Sequence, residues 1–288
     1  MAKRASLILS IHYWSDAATL SGGVWSASLP LVNLKDRQVQ RVARSTNASA
    51  ASTQFDVDLG ALQPVRVLAL VNHNISQIGT WRLRLSDSDP SFAAAIYDSG
   101  FVDVWPQVVP FGLANWGGFN WGQGLSESEA GVYGPYAVQV TAAELLVRYL
   151  RFEIADTGNA EGFVELGRLI VADAFQPAHD KRLGWQLSHV DPTRVVESRA
   201  GQRWFDLRPK RRRVAFELTG LSKSEAYAQI DLLDRLIGRG GEVLAVLDPD
   251  DRDNLFRQTI HGTKAELPPI EQIGADLYAR RFVIEELI

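Results

Sequence analysis

The sequence predicts a mainly β protein. It reads as an N-terminal β-sandwich over residues 1–175, followed over residues 180–288 by a small barrel or split sheet with one covering helix. Three observations predict this. Short runs of period-two alternation recur along the chain, clusters of turn residues separate them, and a helical period is sustained in only one window. A length of 288 residues is long for one compact core and comfortable for two.

In chain order, Lys3 to Ile11 opens with an apolar run that mimics a secretion signal. The run is too short, and no small-residue cleavage site follows it, so a first strand is expected. Gln54–Gly60 alternates, with Phe55, Val57 and Leu59 on one face. Val65–Val71 is nearly all apolar, as a central strand covered on both faces would be. Trp81–Leu85 and Leu150–Ile154 alternate, and Phe163–Val171 closes the set. Turns are expected at Asn72–Asn74, Ser86–Pro90 and Asp156–Asn159.

Ala174–Asp180 reads as a linker. Strands follow at Gly184–Val190, Thr193–Glu197, Gln202–Leu207 and Arg213–Leu218. Then Ser222-x-x-Glu225 is a capping box, Ala226, Ile230, Leu233 and Ile237 recur at helical spacing, and Gly238 ends the run. Glu242–Leu247, Leu255–Thr263 and Leu277–Leu287 are the last predicted strands. Charge supports the boundary: residues 1–175 carry 12 Lys and Arg against 16 Asp and Glu, whereas residues 176–288 carry 18 of each.

Composition narrows the function. The chain has no cysteine, which excludes disulfide frameworks and cysteine-based zinc or redox sites. A net charge of −4 gives no general attraction to nucleic acid or anionic membrane, so neither is expected as a partner. No stretch approaches the ~20 apolar residues of a membrane helix. No nucleophile elbow or phosphate-binding glycine loop is present, and the five histidines have no metal-ligand spacing. Asp248–Asn254 resembles a calcium loop only at a glance, because its sixth position is Asp253 and its twelfth is Thr259. The chain is therefore expected to be no enzyme, with no catalytic residues, metal or cofactor.

Three features suggest surfaces instead. Residues 105–136 are rich in Gly and aromatics. Trp105, Phe111, Trp116, Phe119, Trp121, Tyr133 and Tyr136 are candidates for a protein interface or sugar stacking, or for a lid folded back over the sandwich. The basic run Lys210, Arg211, Arg212 and Arg213 is a solvated strand end or a contact for an acidic partner. The apolar final strand, with Phe282, Ile284, Leu287 and Ile288, pairs within its own domain or is covered by a partner.

The order of pieces over residues 21–175 also resembles a known family. Asp58-Leu59-Gly60 ends an early strand, a late Tyr149-Leu150-Arg151 strand follows, and Glu165-Leu166-Gly167 lies beyond it. This resembles the discoidin-type, galactose-binding-like jelly roll, in a version similar to long-tailed bacteriophage tail proteins. Residues 183–288 resemble the ring-forming β-barrel with one helix of distal tail and other baseplate proteins. The resemblance implies a virion structural protein, made in the host cytoplasm and located at the tail tip. Its partners would be tail tube, hub and tape-measure proteins, and it would form a closed homo-oligomeric ring of three or six copies. The alternative is a lectin-like protein that contacts host glycan.

Overall fold

The computed structural model describes residues 7–105 and 135–288. Most of the described chain is strand, and it divides into two compact units. The sandwich unit is Ser10–Phe175 with Asp248–Thr259. The second unit holds the residues up to Leu9, then Gln176–Leu247 and Ile260–Ile288. This differs from the sequence-based division at two segments, each held by partners distant in sequence. Ile8 and Leu9 pair with Val246 and Ala245, and Phe256 packs edge-on against Trp105 at 6.0 Å.

Among the described residues, nine strands occur up to residue 175. They are β1 (Ile8–Tyr13), β2 (Thr19–Ser21), β3 (Ala43–Arg44), β4 (Phe55–His73), β5 (Thr80–Ser86), β6 (Tyr97–Asp98), β7 (Val102–Asp103), β8 (Tyr136–Ala155) and β9 (Glu165–Phe175). A short helix, α1 (Ala50–Thr53), precedes β4.

Two long strands, β4 and β8, organise the sandwich. They pair antiparallel along 19 and 20 residues, with register breaks between Asp58 and Gln63 and between Val65 and Val67. Gly60 supplies the bend. It adopts φ +77°, which costs glycine little, and its N–H donates to Asp58 Oδ1 at 2.8 Å. Before the bend, Phe55–Asp58 pair with Tyr149–Phe152, β2 joins the outer side of β4, and β5 joins β8. Beyond it, Val67–Val71 pair with Tyr136–Val140, and β9 joins β4. Each bent strand thus serves both layers.

Alternation decides which side faces in. Phe55, Val57 and Leu59 are buried, and Phe55 stacks on Phe152 at 4.9 Å. The outward residues form a charge row across four strands: Asp56 faces Arg151, Arg151 faces Arg84, and Arg84 faces Asp98. The two arginines directly opposite one another would repel, but carboxylates on either side offset this. Arg151 pairs with Asp56 at 2.5 Å and Arg84 with Glu153 at 2.8 Å.

The second unit holds β10 (Gln186–Val190), β11 (Arg194–Glu197), β12 (Arg203–Asp206), β13 (Arg211–Ser222), β14 (Glu242–Val246), β15 (Thr259–Lys264), β16 (Glu271–Gly274) and β17 (Leu277–Glu286). Its sheet runs β10–β13–β17–β15–β14 and continues onto Ile8 and Leu9, with β16 on the side of β17. The barrel expected from the resemblance is not closed. At Val190 the chain leaves β10 and turns into the separate β11–β12 hairpin, so β10 remains a terminal strand.

One helical run covers this sheet, a π-helical stretch at Glu225–Asp231 leading into α2 (Leu232–Ile237). The predicted capping box forms: the Ser222 N–H donates to Glu225 Oε2 at 2.8 Å, and the Glu225 N–H donates to Ser222 Oγ at 3.3 Å. Ala226, Ile230 and Leu233 are buried. Asp234 pins the helix down by accepting from Lys264 Nζ at 2.8 Å and from Arg280 at 2.6 Å. Residues 255–258, expected as strand, form a short helix, α3 (Leu255–Gln258), before β15. Asp251 caps the 3-10 turn just before it (Arg252–Asn254), accepting from the Asn254 N–H at 3.3 Å, and also accepts from Gln258 Nε2 at the helix end at 2.7 Å.

Candidate functional site

Of the seven aromatic candidates, Phe111, Trp116, Phe119, Trp121 and Tyr133 lie outside the described residues. Trp105 and Tyr136 are buried in the sandwich unit. Trp105 donates its indole N–H to Ile75 O at 2.8 Å and lies edge-on to His73 at 5.7 Å. Burial pushes the His73 pKa down to about 3, which keeps the ring neutral. Its Nδ1 accepts from the Ile75 N–H at 3.2 Å, so His73 serves as a packed structural residue at the end of β4.

Near these aromatics the sandwich unit has an open cleft of about 500 Å3, lined by Trp81, Phe101, Tyr136, Gln139, Arg252 and Phe256 among others. Gln139 is held by the Tyr97 hydroxyl at 3.0 Å, while Arg252 and Asp253 reach the rim exposed. The exposed lining is more polar than apolar, with Asp103, Gln139, Arg252 and Asp253 in it, and polar groups that converge in a cleft can hold a small polar ligand. Arg252 and Asp253 belong to the acidic turn Asp248–Asn254, whose place beside Trp81 and Gln139 depends on partners distant in sequence.

The basic run leads into β13, where carboxylates of the same chain lie near it. Lys210 approaches Asp191 at 3.9 Å, Arg211 approaches Glu285 at 3.6 Å, and Arg213 approaches Glu266 at 3.5 Å. Arg212 is buried with Glu286, at 2.6 Å from its NH2 group and 2.9 Å from Nε. The acidic partner of this run is therefore the chain itself. The cause is register: Arg213 faces Glu285 across β13 and β17, which brings carboxylates to the run. The final strand takes the first of the two courses open to it and pairs within its own unit. Phe282 and Ile284 are buried, paired with Phe216 and Val214, and Phe282 stacks on Phe216 at 5.3 Å.

One apolar surface of the second unit lies on the β11–β12 hairpin. Its register pairs Val195 with Phe205 and Val196 with Trp204, flanked by Arg194–Asp206 and Glu197–Arg203. Residues directly opposite share a face, so each face of the ribbon carries one apolar pair and one charged pair. All eight strand residues are exposed, Val196 at 63 % and Trp204 at 62 %. Among the described residues, the ribbon is paired to no other sheet. In β10, Leu187 opposes the buried Val214, yet Leu187 and the preceding Trp185 stay exposed. The sheet's core face thus extends past its cover. The sequence showed the strands of the hairpin, but alternation cannot reveal whether a strand joins the main sheet.

No protein-family model matches the chain, and no curated protein does. Solved structures do resemble it in part. A mutant of the lectin binding domain of lectinolysin, complexed with Lewis b, is 14 % identical, with a TM-score of 0.39 over 57 % of this chain and 98 % of that one. A fucose binding module from Streptococcus pneumoniae is 13 % identical, with a TM-score of 0.38 over 56 % and 95 %. The family 32 CBM from C. perfringens NanJ, in complex with galactose, is 11 % identical, with a TM-score of 0.36 over 57 % and 98 %.

Proposed function

We propose that this chain is a non-catalytic assembly protein of a long-tailed phage tail tip, which docks through its second unit and carries the β-sandwich as a presented domain. The exposed β11–β12 ribbon carries this reading. An isolated two-stranded ribbon is marginally stable in water, and exposed aromatic and β-branched side chains on both of its faces favour a ribbon that a partner covers. Trp and Phe flanked by Arg is also the composition of interface hot spots. The resemblance of residues 183–288 to baseplate proteins supplies the setting, and its implied partners are tail tube and hub proteins. The test is incorporation into assembled particles. Val196→Ser with Trp204→Ser, which removes two exposed side chains, is expected to abolish incorporation while melting stays within a few degrees. Unchanged incorporation would sink the reading.

A second reading, carbohydrate binding by the sandwich unit, is favoured by the cleft between Trp81, Gln139 and Arg252. It predicts binding on a glycan array by the full chain, lost on Arg252→Ala. An array that stays silent, or binding unmoved by Arg252→Ala, removes it.

A further inference from the structure

We propose that the Arg199–Ala200 bond, at the tip of the β11–β12 ribbon, is a processing site for an endoprotease with a trypsin-like preference for arginine, and that the chain nicked there stays folded in one piece. The cut itself does not depend on the assembly reading above; its suppression in assembled particles does.

Two requirements meet at this bond. An endoprotease with an acidic specificity pocket selects Arg or Lys, and it accepts only a segment that has left its own partners. At the tip, the Ser198 N–H donates to Gln202 O at 2.8 Å and the Gly201 N–H donates to Ser198 O at 2.9 Å, with Gly201 at φ +79°. Arg199 and Ala200 are exposed on this turn, and among the described residues no backbone hydrogen bond holds either of them. Behind them stand four register pairs, with no pairing to the main sheet among the described residues. Opening the ribbon therefore costs those pairs alone and leaves the rest of the unit closed. Exposed tips of small and polar residues are where nicking concentrates.

Rival bonds are held more firmly. Residues 106–134 contain neither Lys nor Arg, so beyond Lys3 and Arg4 every candidate bond lies among the described residues. Arg182 is the strongest rival, because Leu183 after it is 95 % exposed. Yet the Arg182 N–H donates to Glu217 O at 2.8 Å, Lys181 bridges to Leu218, and Gln186 onwards pairs with β13. Freeing that bond peels β10 off its sheet. Arg239 sits in the turn between α2 and β14, and all five residues of β14 are buried. Arg41 is held by its N–H to Gln38 O at 2.8 Å and by Asp36 at 2.5 Å, close to the buried Val39.

Hydrolysis adds one water across the bond. The C–N bond breaks, Arg199 gains a carboxylate, and Ala200 leaves with a free amine. The pieces 1–199 and 200–288 remain interlocked without that bond. Ile8, Leu9 and β10 belong to the first piece and pair with β14 and β13 of the second. Asp248–Thr259 of the second piece belongs in turn to the sandwich unit.

The full-length chain is treated with a trace of trypsin in the cold, and the products are followed by mass spectrometry, gel filtration and thermal melting. Fragments 1–199 and 200–288 are expected first, eluting together at the volume of the uncut chain and melting within a few degrees of it. Arg199→Gln is expected to slow loss of the intact chain about tenfold. A first cut elsewhere in residues 7–288 would overturn the proposal and leave the assembly reading untouched. Fragments that separate, or an Arg199→Gln chain lost as fast as the parent, would overturn it too. In assembled particles the cut is expected to be suppressed, since a docked ribbon does not open. A ribbon nicked as fast in particles as in the free chain supports the processing site and removes the assembly reading.

Discussion

At the scale of single residues, the informative groups are the charges and the histidine that folding removes from water. Arg212 and Glu286 are both nearly inaccessible, and their attraction offsets a desolvation cost of several kcal/mol per ion. Arg212→Ala removes the guanidinium that the buried Glu286 carboxylate faces, with an expected loss of about 3–5 kcal/mol. Arg212→Met with Glu286→Leu removes both charges and is expected to recover most of that loss. Urea denaturation of the two variants checks this, and equal losses would show that packing, not charge, governs the site. His73 has a pH signature. Its pKa is about 3 when folded and near 6.5 when unfolded, so the unfolded chain binds the extra proton. Stability from this group is therefore full above about pH 6.5 and falls as pH drops from there towards 3. His73→Phe costs about 1–3 kcal/mol at pH 7, because the Ile75 N–H loses its acceptor. It should nonetheless flatten the melting profile between pH 6.5 and 4. A profile as steep as the parent's would assign the acid sensitivity to other groups.

At the scale of elements, the sequence was legible wherever one local rule decided the outcome. The Ser222–Glu225 box and Gly238 fixed the helical run at both ends, and the alternation of Phe55, Val57 and Leu59 fixed a buried face. It was less legible where partners decide. β4 reads as two runs, because the bend around Gly60 interrupts alternation, although the backbone pairing continues through it. β8 reads as only its last third, since Tyr136–Val147 serves two layers and shows no clean period. Arg168, Arg212, Lys264 and Arg280 look like solvated charges in sequence, yet all four are buried, because their partners arrive from distant strands, helices or turns. Asp234 shows what such a partner is worth. Asp234→Ala strands Lys264 and Arg280, whose burial already lowers both pKa values. The helix should then lose its anchor, seen as hydrogen exchange accelerating across residues 225–237 before the rest of the unit opens. Exchange that accelerates uniformly would place the anchor elsewhere. Gly167 is a backbone counterpart: an added Cβ would lie 2.3 Å from Val39 O, so Gly167→Ala must displace either β9 or that loop. A melting temperature unchanged by Gly167→Ala would mean that the loop yields freely.

For the whole molecule, the chain path forbids separation at one peptide bond. It passes between units after Leu9, Phe175, Leu247 and Thr259, so a cut in the 176–180 linker severs each unit from a segment it needs. Fragment 176–288 loses Leu7, Ile8 and Leu9, all at most 1 % exposed, two of which pair with Val246 and Ala245 of β14. Burying such a side chain contributes about 1.5–3 kcal/mol, so the three together supply roughly 5–9 kcal/mol. That is comparable to the ~5–15 kcal/mol that holds a domain folded. The fragment also exposes the edge of β14, whose five residues are all buried in the full chain. It is therefore expected to aggregate or to lack a cooperative melting transition. Fusing residues 1–9 to its C-terminus through a flexible linker long enough to reach β14 should restore one. Circular dichroism melts of the two fragments decide the matter. If 176–288 alone melts cooperatively near the temperature of its fused counterpart, the Ile8–Val246 pairing is incidental, and this unit is as separable as its sequence boundary implies.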